Sequence, residues 1–182
     1  MSRCFPGSAL IVGALAVPGV IRAQHAAEAV VSWMAGHESA PIGRGRVGGF
    51  TIGFGLIEGP FVFGPEFLFQ NGDSLRLRAF AVNVRVRQQS GWLHPHLVVG
   101  AGAYAWQNQI TIDAPGPVVD RRRVWREISY VSASLGGGLT LGRLDRGPAG
   151  ILEGRWHRNL AQDPEAGSRS LIAISAGLRF AW

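Results

Sequence analysis

Apolar and polar residues alternate with a period of two along most of the chain. Aromatic residues stand at every second position from Phe61 to Phe69, interrupted only by Pro65, and small, mixed or charged residues fill the other phase. Successive side chains of a strand point to opposite faces, so this alternation predicts strands with one apolar face. It predicts eight strands, near residues 26–36, 44–57, 60–70, 74–88, 92–108, 124–142, 149–159 and 170–182.

The connections between these strands alternate in length. Short ones lie near residues 58–60, 89–91 and 143–148, and longer ones near residues 37–43, 108–123 and 160–168; the tight turn Asn71–Asp73 is the exception. Each strand reaches the ~9–11 residues that cross a bilayer at a tilt. Short periplasmic turns and longer outer loops are typical of outer-membrane barrels. We therefore expect an all-β fold, an eight-stranded antiparallel transmembrane β-barrel with both termini in the periplasm.

The fourth strand has arginines on both phases. Arg76 and Arg78 share the phase of Phe80, whereas Arg85 and Arg87 share that of Leu77. A β-bulge near Ala79 would bring all four arginines to the interior, because an extra residue exchanges the two faces of a strand. The sequence therefore favours a bulge there; without one, Arg85 and Arg87 would lie at the lipid-facing rim.

The first 23 residues have the layout of a secretory signal peptide. Arg3 precedes a nearly all-apolar stretch from Ala9 to Ile21, and cleavage after Ala23 would leave residues 24–182 as the barrel domain. The alternative is a short buried N-terminal segment. Cys4 is the single cysteine and would leave with the signal, so a disulfide scaffold and thiolate metal sites are excluded.

Composition narrows the class of protein further. The chain has 182 residues, of which 47% are hydrophobic and 16% charged, against about 25% charged in a typical soluble domain. That apolar content excludes a disordered chain. All 18 basic residues are arginine, and with 12 acidic residues they give a net charge of +6.

The last strand carries a motif that points to a family. Ser175, Gly177, Phe180 and Trp182 resemble the terminal signal by which bacterial outer-membrane barrels are recognised for assembly. Residues 152–157 are similar to the penultimate strand of small barrels in the outer-membrane protein beta-barrel domain family. The resemblance implies location in the outer membrane of a Gram-negative bacterium. It also implies a monomer whose partners are membrane lipid, lipopolysaccharide and the barrel-assembly machinery.

An eight-stranded barrel has an interior just wide enough for side chains to fill, so we expect no wide pore. Carboxylates and guanidinium groups on the inward phase can neutralise one another there. The expected inward polar residues are Glu28, Glu66, Arg76, Arg78, His96, Glu153, Arg155, His157 and Arg179. Tryptophans near strand ends are expected in an aromatic girdle; these are Trp33, Trp92, Trp106, Trp125 and Trp182.

Two histidine-containing segments are candidates for catalysis or metal binding, and neither has the further residues that such a site needs. The segment His157–Asn159 resembles lipid A deacylase barrels, which place a nucleophilic Ser two residues after the His and a Glu downstream. Here Asn159 replaces that Ser, so no activated nucleophile results even though Glu165 lies downstream. His94 and His96 share a face but have no further ligands nearby. We expect no catalytic residue, no metal and no cofactor.

The strongest cluster of charge is Arg121, Arg122 and Arg123, at the end of the predicted loop 108–123. On the outer side of the membrane these arginines could bind lipopolysaccharide phosphates, and the alternative is a solvated loop without a ligand. Nucleic acid is not expected, because a secreted chain meets little of it.

These observations together favour a small outer-membrane barrel with a structural or surface-interaction role. Two alternatives stay open at this point. One is a lipid-modifying barrel enzyme of the lipid A deacylase type, and the other is a soluble secreted β-barrel that binds an apolar ligand.

Overall fold

Eight antiparallel strands form one closed barrel, as the alternation predicts. The computed structural model describes residues 26–40, 43–72, 75–114, 120–160 and 170–182; residues 1–25, with the predicted signal peptide, lie outside them. Each strand pairs with its neighbours in sequence, and β1 pairs with β8. The strands are β1 (Ala26–Ala40), β2 (Gly43–Glu58), β3 (Phe61–Gly72), β4 (Leu75–Arg87), β5 (Leu93–Ala114), β6 (Asp120–Leu141), β7 (Gly147–Asn159) and β8 (Ser170–Ala181).

The two ends of the barrel differ. At the terminal end, which holds Ala26 and Ala181, short turns join β2 to β3, β4 to β5 and β6 to β7. At the opposite end, β5 and β6 form a long hairpin that continues past their other neighbours, and we call this the hairpin end. Pairing of β5 with β4 stops at Asn108, and pairing of β6 with β7 stops at Ser132. The prediction of a loop over residues 108–123 is therefore wrong for most of that segment. Alternating β-branched residues such as Ile110 and Ile112 favour the strand that replaces it.

The predicted bulge in β4 is absent. Pairing runs without a break on both sides of β4, so Leu77 shares the inward face with Arg85 and Arg87. Arg76 and Arg78, predicted to lie inside, point outwards and are exposed. A fully buried Leu77 explains the outcome, because the interior at the hairpin end is apolar and an arginine there would lack a carboxylate partner.

The interior has two layers. Toward the hairpin end, Met34, Leu68, Leu77 and Leu171 pack around Trp106 in an apolar cluster. Trp106 is fully buried, so its predicted place in the aromatic girdle is wrong; it shares the inward phase of Tyr104. The charged side chains fill the layer toward the terminal end. The other four tryptophans of the predicted girdle are exposed: Trp33, Trp92, Trp125 and Trp182.

The outer surface of the barrel is apolar. Among the side chains that the structure describes, twenty-five large apolar ones are exposed, including Phe54, Leu97, Val131 and Ile172, while seven charged ones are buried. This distribution is the reverse of the one in soluble proteins, where charged residues are almost never fully buried. Among the described residues, no helix is long and apolar enough to cross a membrane.

Candidate functional site

The candidate site is a network of buried ion pairs in the layer of the interior toward the terminal end. Its charged members are three carboxylates and four guanidinium groups, which leave one net positive charge: Glu28, Glu66, Glu153, Arg85, Arg87, Arg155 and Arg179. They come from β1, β3, β4, β7 and β8, so the network joins opposite walls of the barrel.

Arg155 links β7 to β3 across the interior. Its Nη1 and Nη2 donate to Glu66 Oε1 and Oε2 at 2.6 and 2.8 Å, a two-bond geometry that suits a planar guanidinium. Its Nε donates to Glu153, two residues earlier on the same face of β7. The Nη1, Nη2 and Nε atoms of Arg155 therefore all donate to carboxylates, those of Glu66 and Glu153.

Glu153 is the point where three cationic or polar side chains meet. Besides Arg155, Arg85 Nη2 lies 3.2 Å from Glu153 Oε2 and His96 Nε2 lies 3.0 Å from the same oxygen. Arg85 Nη1 reaches Glu28 Oε1, also at 3.2 Å. Arg85 thus bridges two carboxylates, and through it β4 is joined to β1 and β7.

Glu28 anchors the network at the terminal end. Its Oε2 accepts hydrogen bonds from Arg87 Nη1 and Arg179 Nε, each at 2.6 Å. Arg179 also donates to the backbone oxygens of Arg143 at 3.2 Å and Leu144 at 2.7 Å. The buried Arg179 therefore holds the turn between β6 and β7 against the interior through two hydrogen bonds.

The turn between β6 and β7 makes a second set of hydrogen bonds, to His94, and contains an ion pair of its own. His94 makes hydrogen bonds with the backbone oxygens of Gln88 at 3.0 Å and Gly142 at 2.9 Å, which joins two turns at the same mouth. Arg143 donates to Asp145 at 3.1 and 2.8 Å, and this hydrogen bond lowers the pKa of the exposed Asp145 carboxyl.

Two glycines of β6 make room for the network. Gly136 pairs with Arg155 and Gly138 with Glu153. A Cβ on Gly136 would lie 2.7 Å from Arg155 Cγ, and one on Gly138 would lie 2.8 Å from Glu153 Cα. Gly136 and Gly138 therefore leave space beside the long charged side chains, a role that the sequence alone does not reveal.

His157 lies inside the barrel and away from its outer surface. It is fully buried, and its Nδ1 lies 3.0 Å from the hydroxyl of Tyr104, which is also buried. Glu165 lies outside the described residues. Within those residues, no group of three or more His, Cys, Asp or Glu could hold a metal ion.

The predicted interior residues divide into two groups. Glu28, Glu66, His96, Glu153, Arg155, His157 and Arg179 are buried, and all but His157 belong to the ion-pair network. Arg76 and Arg78 are outside, as described above. Arg85 and Arg87 are central to the network. The sequence predicts them inside through a bulge, whereas regular pairing of β4 places them there together with Leu77.

The predicted assembly motif lies at the seam between β8 and β1. Phe180 and Trp182 point outwards, and Ser175 Oγ donates to the backbone oxygen of Glu153 at 3.4 Å. Trp182 and Ala27 exchange two backbone hydrogen bonds of 3.0 Å. The side chains of Arg121, Arg122 and Arg123 lie outside what the structure describes, although their backbone belongs to β6.

Side chains fill most of the interior. Around the network, the cavities have volumes of about 10 and 20 Å³, which is roughly the space of one water each. A larger hollow of about 420 Å³ lies at the terminal mouth, against Arg87, His94 and the turn between β6 and β7. Among the described residues, the geometry therefore offers no wide passage through the barrel.

Comparisons with known proteins identify the fold. No protein-family model matches the chain, and no curated protein matches it in sequence. Neisserial surface protein A has 10% identity and a TM-score of 0.68, over 85% of this chain and 97% of that one. Ail of Yersinia pestis has 11% identity and a TM-score of 0.49, over 86% of this chain and 99% of that one, a score too low to support an argument. The likeness to the Neisserial protein confirms the fold of small outer-membrane β-barrels.

Proposed function

We propose that this chain is a small β-barrel of a bacterial outer membrane, with a structural or surface-interaction role. The observation that carries the proposal is the reversed polarity of the barrel, whose outside is apolar and whose inside holds seven charged side chains. A bilayer core offers no water to an open sheet edge, so strands can span it only in a closed barrel. The closed eight-stranded sheet meets that condition.

The ends of the barrel support a membrane orientation. The apolar band stops at both ends in polar residues, such as the exposed Glu58 at the terminal end and, toward the hairpin end, the exposed Glu127 with the half-buried Gln107. Outer-membrane barrels have short periplasmic turns and longer outer loops. We place the terminal end in the periplasm and the long β5–β6 hairpin outside the cell.

The filled interior favours a structural or surface role over transport or catalysis. The cavities around the ion pairs each have about the volume of one water. This part of the interior therefore has no room for an apolar ligand, which opposes a soluble barrel that binds such a ligand in its centre. A lipid A deacylase would need its histidine at the lipid surface, whereas His157 is buried and bonded to Tyr104. Assembly through the C-terminal motif and a monomeric state belong to the same proposal.

The test is to express the whole chain in a Gram-negative host and to run the outer-membrane fraction on a denaturing gel, unheated and heated. We expect the protein in that fraction and a mobility that changes on heating, because a closed barrel resists detergent until it unfolds. Soluble periplasmic protein without such a change would overturn the proposal. Planar-bilayer recordings on the purified protein should show no large steady conductance, and a wide, stable channel would overturn the closed interior.

A further inference from the structure

The exposed charges of the barrel are distributed unequally between its two ends. On the outward face near the hairpin end, the described charged residues are Arg46, Arg76, Arg78, Arg158 and a single carboxylate, Glu127. At the terminal end, two exposed arginines are balanced by two exposed carboxylates: Arg143, Arg146, Glu58 and Asp145. Among the side chains that the structure describes, the outer surface is therefore net positive at one edge of the apolar band and has no net side-chain charge at the other.

The four outward arginines lie directly beyond the apolar band. Arg78 follows the exposed Phe80 by one step of the alternation, and Arg158 follows the exposed Trp156 in the same way. Arg76 is one step further along β4, and Arg46 is two steps beyond Phe50 on β2. We call these four residues the arginine collar. They come from three strands, β2, β4 and β7, so they surround the barrel and do not form one local patch.

Two members of the collar rest against tryptophan rings. The guanidinium carbon of Arg76 lies 4.3 Å from the centroid of Trp125, and that of Arg158 lies 5.8 Å from the centroid of Trp156. The ring quadrupole attracts a cation at these distances. The two contacts therefore hold the guanidinium charges of Arg76 and Arg158 at the edge of the apolar band.

We propose that the arginine collar binds the phosphate groups of phosphorylated lipid headgroups in the leaflet at the hairpin end. This inference rests on the proposed function, because it needs the apolar band to lie in a bilayer. A guanidinium matches the geometry of a phosphate with two parallel hydrogen bonds. A headgroup whose acyl chains lie against the apolar band presents its phosphates at the level of the collar. A free phosphate has no such anchor, which is why we commit to the lipid.

The experiment uses the full-length protein in zwitterionic detergent, with diphosphorylated lipid A as the probe and native mass spectrometry as the readout. The collar variant carries Arg46→Gln, Arg76→Gln, Arg78→Gln and Arg158→Gln. The matched control carries Arg143→Gln and Arg146→Gln, which remove exposed charge at the opposite end. Each basic residue near an anionic membrane surface contributes about 1 kcal/mol, so we expect roughly fivefold weaker binding per collar arginine removed.

The expected result is tight lipid A binding by the wild type and the control, strong loss in the collar variant, and weaker wild-type binding at high salt. Equal binding by the collar variant would overturn the inference. So would equal binding of dephosphorylated lipid A, which would assign the affinity to acyl chains alone, or full competition by inorganic phosphate, which would indicate an anion site.

The collar residues are exposed, so the variant should still fold, and its heat-dependent gel mobility checks this. If the collar variant misfolds, the salt dependence of wild-type binding and the dephosphorylated probe still decide the outcome. A wild-type protein that is absent from the outer membrane would fail the proposed function. A membrane-inserted protein whose lipid A binding ignores the collar would fail this inference alone.

Discussion

Removing the Glu153 carboxylate should destabilise the barrel more than any exposed charge does. Glu153→Ala takes away a hydrogen-bond acceptor from Arg155, Arg85 and His96 at once. The net charge of the interior then rises from +1, set by four arginines and three glutamates, to +2. Breaking a buried ion pair from one side costs about 3–5 kcal/mol, because a charge is left without its partner. Arg155 keeps Glu66, so we expect the lower part of that range.

The assay is urea unfolding of the refolded protein in phosphatidylcholine vesicles, with the folded fraction read from unheated gel mobility. Glu58→Ala is the matched control, since Glu58 is an exposed carboxylate at a turn, and a surface change of this kind usually stays within about 0.5 kcal/mol. Glu153→Ala and Glu58→Ala of equal stability would refute the reasoning that the network holds the barrel walls together.

A double variant tests whether the loss of stability comes from the unbalanced charge of the interior or from lost packing. Arg85→Met together with Glu153→Gln returns the interior to one net positive charge, while Glu28 keeps Arg87 and Arg179. We expect the double variant to be more stable than Glu153→Gln alone, as coupled neighbours are non-additive. Additive losses would show that Arg85 and Glu153 act independently.

Three further predictions test other parts of the barrel. Leu135→Arg on the outer face should cost about 2–4 kcal/mol in vesicle refolding, because the charge enters lipid; refolding as efficient as wild type would contradict a lipid-facing β6. Arg179→Met should speed tryptic cleavage after Arg143, because it frees the turn between β6 and β7; an unchanged cleavage rate would show that other contacts hold this turn. Gly136→Ala should destabilise by roughly 1–3 kcal/mol through overpacking, whereas Gly154→Ala, whose Cβ meets nothing within 4 Å, should not; equal urea midpoints would refute the packing role of Gly136.

The strand pattern predicts the lipid-facing side correctly where one face of a strand stays apolar over its whole length. β3 and β8 are examples, since their alternation leaves a single choice of lipid-facing side. The prediction for β4 is wrong because both of its faces carry arginines, and the local sequence does not specify which pair of arginines faces carboxylates across the interior. The partners of Arg85 are Glu28 and Glu153, which are 57 and 68 residues away.

The alternation along the chain specifies the number of strands and their apolar outward faces, because a period of two is a local property of each strand. The two layers of the interior follow from the closed sheet and are not encoded in any one strand. Trp106 and Leu77 fill one layer and the ion pairs fill the other, since closing the sheet sets which side chains meet across the lumen. The same closure left Arg76 and Arg78 outside, because the burial of a side chain depends on its distant neighbours.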